Sequence, residues 1–118
     1  IKPEMIPIIE RVVNVLSACT GDVLVSGYTD NRPISSDRYR SNWDLSAARA
    51  VSVVHELVMN RQVPAERVVA AGRAETNPLA PNDTPENRAL NRRVEIAIRN
   101  PECNDEVPTG DLPVEIRP

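Results

Sequence analysis

Two residues of opposite charge stand where a sheet protein usually does its chemistry. Asp30 closes the stretch Val23-Leu24-Val25-Ser26-Gly27-Tyr28-Thr29-Asp30. Arg49 lies in the first turns of a helical pattern that opens at Ser41-Asn42-Trp43-Asp44-Leu45-Ser46. Strand ends and helix starts are the common ligand positions of α/β sheets. A carboxylate and a guanidinium that share a crevice can hold a zwitterion, one at its ammonium and the other at its carboxylate. The same two residues also read as an ordinary loop acid and a solvated helix arginine.

The elements that would position them follow from hydrophobic period. Residues 3–17 carry Met5, Ile9, Val12 and Leu16 at helical spacing, widened by Ile6, Ile8 and Val13, with Pro3 suited to a first helical position. Val23–Gly27 is a continuous apolar run bounded by turn residues, which reads as a central strand. The polar loop 29–40 contains Pro33 and is neither strand nor helix. A second helix starts at Ser41 or Asn42, with Ser41 and Asp44 forming an imperfect capping box, and runs to about Asn60. Its expected apolar face is Leu45, Ala48, Val51, Ser52, His55 and Met59, with Val54, Leu57 and Val58 beside it. Val68–Gly72 is a second strand. Thr84-Pro85-Glu86 is an N-cap, a first-position proline and a first-turn acid, opening a short helix over 85–90. Arg92–Arg99 alternates polar and apolar residues as a half-buried strand.

The 118 residues amount to one domain, with a core-forming part over 1–99. From 100 to 118 the composition turns to prolines and acids, an extended tail in which Val114-Glu115-Ile116 is a candidate edge strand. With 41% apolar residues and no phenylalanine, the core must be built from Val, Leu, Ile and Ala. A net charge of −3 and few aromatics exclude a basic, base-stacking surface, so nucleic acid is not an expected partner. No apolar run approaches the roughly 20 residues of a membrane span, and none reads as a signal peptide. The expectation is a soluble fragment or mature domain whose targeting segment lies elsewhere.

Cys19 and Cys103 fit no metal-ligand spacing. They leave two readings: one disulfide in an oxidising compartment, or two buried thiols. His55 is alone on its helix and reads as a surface or packed residue. With one histidine, no metal cluster and no base beside either cysteine, neither a cofactor nor a catalytic centre is expected.

Gly27-Tyr28-Thr29-Asp30-Asn31, Ser41-Asn42-Trp43-Asp44-Leu45-Ser46-x-x-Arg49-Ala50 and Asn91-Arg92-Arg93-Val94-Glu95-Ile96 together resemble the OmpA-like peptidoglycan-binding domain. The likeness runs from about Ile1 to Arg99. The block Tyr39–Ser46 resembles most closely the periplasmic domain of flagellar stator B subunits, the sodium-driven kind above all. The resemblance implies an α/β (α+β) sandwich with helices packed on one face of a small mixed sheet. Family members begin with a strand, which here would lie before Ile1, and Val114–Ile116 is a candidate substitute. Tyr28 stands where much of the family has His, and Asn31-Arg32-Pro33 replaces a loop that commonly carries a Gly.

The resemblance also implies a ligand, the diamino acid of a peptidoglycan stem peptide, held without catalysis. Asp30 would take its ammonium and Arg49 its carboxylate. Asn42 and the helix-start amides around Leu45 would add hydrogen bonds. Of Arg92 and Arg93, one would pair structurally and the other line the groove; Arg93 is assigned to the groove. Trp43 would either pack the loop on the helix or cover sugar, with packing the expected role. In a periplasmic domain, Cys19 and Cys103 would have the chance to pair. The stator likeness adds a homodimer and an upstream membrane helix that joins a stator A subunit. The other context it allows is a secretion-system accessory protein or an outer-membrane lipoprotein.

Overall fold

The computed structural model describes residues 3–99, 101–103 and 114–116. The remaining calls on the tail between 104 and 113 lie outside the described residues. A 3₁₀ turn at Pro3–Met5 leads into α1 (Ile6–Ala18), then β1 (Asp22–Tyr28), α2 (Asn42–His55), β2 (Val68–Gly72), α3 (Pro85–Asn91), β3 (Arg93–Arg99) and β4 (Val114–Ile116). The sheet order is β2-β1-β3-β4. β1 runs parallel to β2 and antiparallel to β3, so the sheet is mixed. β4 adds an antiparallel edge, with Val94 opposite Ile116 and Ile96 opposite Val114.

α1 presents the expected stripe: Met5, Ile9, Val12 and Leu16 are all buried, while Ile6 stays exposed. They close over Val23, Val25, Val94 and Ile96, which the register places side by side on one sheet face. α2 covers the same face, and here the sequence expectation needs correcting. Its buried stripe is Ser46, Ala50, Val53 and Leu57, and Val51 and Met59 point outward. The reason lies in the sheet. Gly27 and Gly72 are register partners, and a Cβ on Gly27 would overlap the Ser46 carbonyl oxygen. A Cβ on Gly72 would come within 2.8 Å of the Ala47 backbone nitrogen. Beside these glycines the helix lies so close that only the small side chains of Ser46 and Ala50 fit beneath it, and Val53 and Leu57 pack further along the helix. The last turn of this helix, Glu56–Asn60, is widened to a π turn.

The caps differ in kind. Thr84 accepts a hydrogen bond from the Asn87 backbone amide and opens α3 as expected. Ser41 makes no side-chain cap at α2. Asp44 instead accepts from the Arg40 backbone amide and guanidinium, fixing the loop before the helix. At the far end of the sheet, Arg67 donates to the carbonyls of Leu16, Cys19 and Gly21, and so satisfies the C-terminal end of α1. Cys19 and Cys103 are joined in a disulfide there, beside a backbone hydrogen bond from Thr20 to Glu102.

Candidate functional site

The opposite end of the sheet gathers the C-terminal ends of the parallel strands β1 and β2, the start of α2 and the start of β3. Their loops are tied together before any ligand arrives. The Thr29 amide donates to the Ala74 carbonyl, and the Ala74 amide donates to the Ser46 hydroxyl, which in turn donates to the Trp43 carbonyl. Ser46 and Ala74 are fully buried. Ala74 sits at φ 53°, in the left-handed region that a residue with a Cβ adopts at a cost. That turn sends Glu75 back over the helix start.

Asp30 is 8% exposed and fully engaged. Its Oδ1 accepts from the Arg32 amide at 3.0 Å, and its Oδ2 from Arg92 Nη1 at 2.7 Å. Asn42 is the hinge of the site. Its Nδ2 donates to the carbonyl of Arg32 and to Glu75 Oε2, and lies 3.5 Å from the Asp30 carbonyl. One side chain thus fixes the loops that follow β1 and β2 at the N-terminus of α2.

Arg49 is the group left incomplete. Its Nη1 is buried and, among the described residues, has no hydrogen-bond partner. Burial pushes its guanidinium below the ordinary arginine range, and the charge of Arg92 adds to this, while Tyr39 and Asp30 act in the opposite sense. The site therefore brings two guanidiniums and one carboxylate within electrostatic reach, and among the described residues one buried arginine nitrogen lacks an acceptor. A buried donor without a partner is costly unless an anion supplies it.

Three sequence assignments change. Arg93 does not line the groove. It is 1% exposed, its guanidinium donates to Glu95, to the Asn91 carbonyl and to the Asn77 carbonyl, and it stacks 4.0 Å from the Tyr28 ring centroid. The register explains this: Tyr28 and Arg93 are cross-strand partners and share one face, so Arg92 is the neighbour that reaches Asp30. The Leu45 amide is also unavailable, because it makes the first helical bond to the Ser41 carbonyl. The orphan amides of a helix start are those that precede it. Trp43 is 54% exposed, which removes the expected packing role.

Glu75, Ser46 and Ala74 were not singled out in the sequence. Glu75 carries a readable signal, a carboxylate just past the C-terminal end of a strand, the same position that marks Asp30. Among the described residues, no three His, Cys, Asp or Glu side chains cluster to hold a metal, and no helix is long and apolar enough to cross a membrane.

This sheet, with helices on one face and paired charges at the ends of its strands, has known counterparts. The OmpA family model matches residues 1–92, and the chain belongs to that family. It is 38% identical to motility protein B of Bacillus subtilis over 99 residues, covering 83% of this chain and 38% of that protein. It is 40% identical over 92 residues to the peptidoglycan-binding protein ArfA of Mycobacterium tuberculosis, covering 77% of this chain and 27% of the relative. The solved cell wall anchor of the type VI secretion system of Pseudomonas aeruginosa superposes with a TM-score of 0.71 at 46% identity, over 81% of this chain and 66% of that one. The chain thus spans well under half the length of the two whole proteins.

Proposed function

We propose that this domain binds peptidoglycan through the diamino acid of its stem peptide, without catalysis, and anchors a flagellar motor stator unit to the cell wall. The observation that carries the reading is the unpartnered Nη1 of Arg49 beside the Asp30–Arg92 pair. A ligand carboxylate completes Arg49. A ligand ammonium shares Asp30 with Arg92, whose side chain is 42% exposed and free to yield. The diamino acid brings both charges on one short scaffold. Arg suits the anionic end because its planar fork binds a carboxylate through two parallel bonds. The names of the relatives, a motility protein, a peptidoglycan-binding protein and a wall anchor, point the same way.

In this reading the domain is periplasmic and works as a homodimer. An upstream membrane segment carries it and joins the stator A subunit. The likeness to the secretion-system wall anchor supports a second context, in which the same site tethers a secretion machine. The test of the shared step is sedimentation with purified sacculi. Arg49→Ala and Asp30→Asn, both folded by circular dichroism, should each lose about thirty-fold or more in affinity, the effect of breaking a partly desolvated charge pair. Wild-type sedimentation of both variants overturns the site. Restoration of swimming or of secretion by the full-length gene in a deletion strain separates the two contexts.

A further inference from the structure

Past the end of its ladder with β2, the chain leading to Asp30 hangs on a buried hydroxyl. Pairing of β1 with β2 ends at Gly27 and Gly72, and the Arg73 amide adds one bond to the Gly27 carbonyl. Beyond that point the Thr29 amide donates to the Ala74 carbonyl at 2.8 Å, and the Ala74 amide donates to Ser46 Oγ at 3.0 Å. We infer that Ser46 is a positioning residue: through Ala74 and Thr29 it sets the separation of Asp30 from Arg49, and so selects the length of the charged ligand that spans them. The inference rests on the stem-peptide reading above and deepens it, from which charges are held to how far apart they must lie.

The two charged groups stand at opposite ends of this series of bonds. Arg49 follows Ser46 by three residues, one turn further along α2. Asp30 follows Thr29 directly, and the Thr29 hydroxyl donates to the Asp30 carbonyl at 2.9 Å. Asn42 also ties the helix to these loops, but it does so past Asp30, at the Arg32 carbonyl, and through the side chain of Glu75 rather than the backbone of the turn.

Ser46 and Ala74 are both fully buried, so water cannot take the place of the hydroxyl. Without that acceptor the Ala74 amide is an unpaired buried donor. Ala74 also sits at φ 53°, which a residue with a Cβ leaves readily unless it is held. The hydroxyl can hold it because its own proton is committed to the Trp43 carbonyl at 3.1 Å, which turns its lone pairs to the amide. The anchor is itself fixed: the Ser46 carbonyl lies against Gly27 with no room for a Cβ between them.

The test is a calorimetric series on the oxidised domain, with three tripeptides whose diamino diacid has six, seven or eight carbons. Wild type should favour one length over the others by about tenfold, the lower end of what one methylene decides in a fitted site. Ser46→Ala should reduce that preference to about two- or threefold. Ser46→Cys nearly keeps the volume and offers only a weak donor and acceptor, so it should act in the same direction and serves if the alanine variant does not fold. Wild type with the Cys19–Cys103 bond reduced is the control: it is perturbed at the opposite end of the sheet and should keep the full preference. A folded Ser46 variant that keeps the preference, or a reduced wild type that loses it, overturns the role of Ser46. Equal wild-type affinity for all three lengths does the same and leaves the peptide site standing. Failure of wild type to bind any of the three instead overturns the reading on which the inference rests.

Discussion

Arg49→Met should make the free domain more stable and the anchor useless. The arginine is half-buried, yet its Nη1 is fully buried with no acceptor among the described residues, and its charge faces that of Arg92. An unsatisfied buried polar group costs about 1–3 kcal/mol, more when charged. Arg49 also feels the opposite charge of Asp30 and keeps some access to water, so the lower end of that range applies. Methionine keeps the length and the apolar stem, which limits the packing loss. The net expectation is a gain of about 1 kcal/mol, or roughly 4–8 °C in melting temperature for a domain of this size. Sacculus binding should meanwhile fall by about thirty-fold or more. Thermal unfolding by circular dichroism and sedimentation on the same preparation read both effects. A variant that melts lower than wild type would show that Arg49 is satisfied in the free protein, and the argument for an anion slot would fail with it.

Three further outcomes are expected. Arg93→Ala should cost about 3–5 kcal/mol, because a buried cation with three acceptors and a stacked ring leaves Glu95 uncompensated. Arg92→Ala also leaves Asp30 without its cation but should cost less, because Arg92 is half exposed and Asp30 keeps the bond from the Arg32 amide; denaturant titration of the two variants separates them. Reducing the Cys19–Cys103 bond, which closes a separation of 84 residues, should cost about 2–4 kcal/mol, seen as a lower urea midpoint in the presence of reductant. Gly27→Ala should destabilise by about 1–3 kcal/mol or prevent folding, since its Cβ would overlap the Ser46 carbonyl in a helix held against the sheet. An unchanged melting temperature would mean that α2 can move away from β1.

Much of the fold was readable because hydrophobic period changes along the chain, from the α1 stripe to the β1 run to the alternation of β3. The buried face of α2 was not. Hydropathy ranks Val51 and Met59 above Ser46 and Ala50, but close approach to Gly27 and Gly72 reverses the ranking, and that approach depends on cross-strand register. Register also decides between Arg92 and Arg93. Adjacent strand residues point to opposite faces, and only the pairing of Arg93 with Tyr28 says which face is which. Asp30, Asn42 and Arg49 were legible through the resemblance and their places at a strand end and helix start. Glu75 reaches Asn42 only because β2 lies parallel to β1, a long-range fact that no local pattern carries.

The position of β1 sets how the domain would behave under tension. The loop of the candidate site leaves one end of this strand, while the disulfide and the Arg67 clamp secure the chain at the other. On the proposed wall-binding reading, a pull between this loop and the disulfide end would run along the strand axis. β1 is bonded on both sides, to β2 over Val23–Gly27 and to β3 over its whole length. Those hydrogen bonds lie across the pull and are strained together in shear, whereas an edge strand drawn sideways would give them up one at a time. A tether hung from a central strand yields at a higher force than its equilibrium stability alone would suggest.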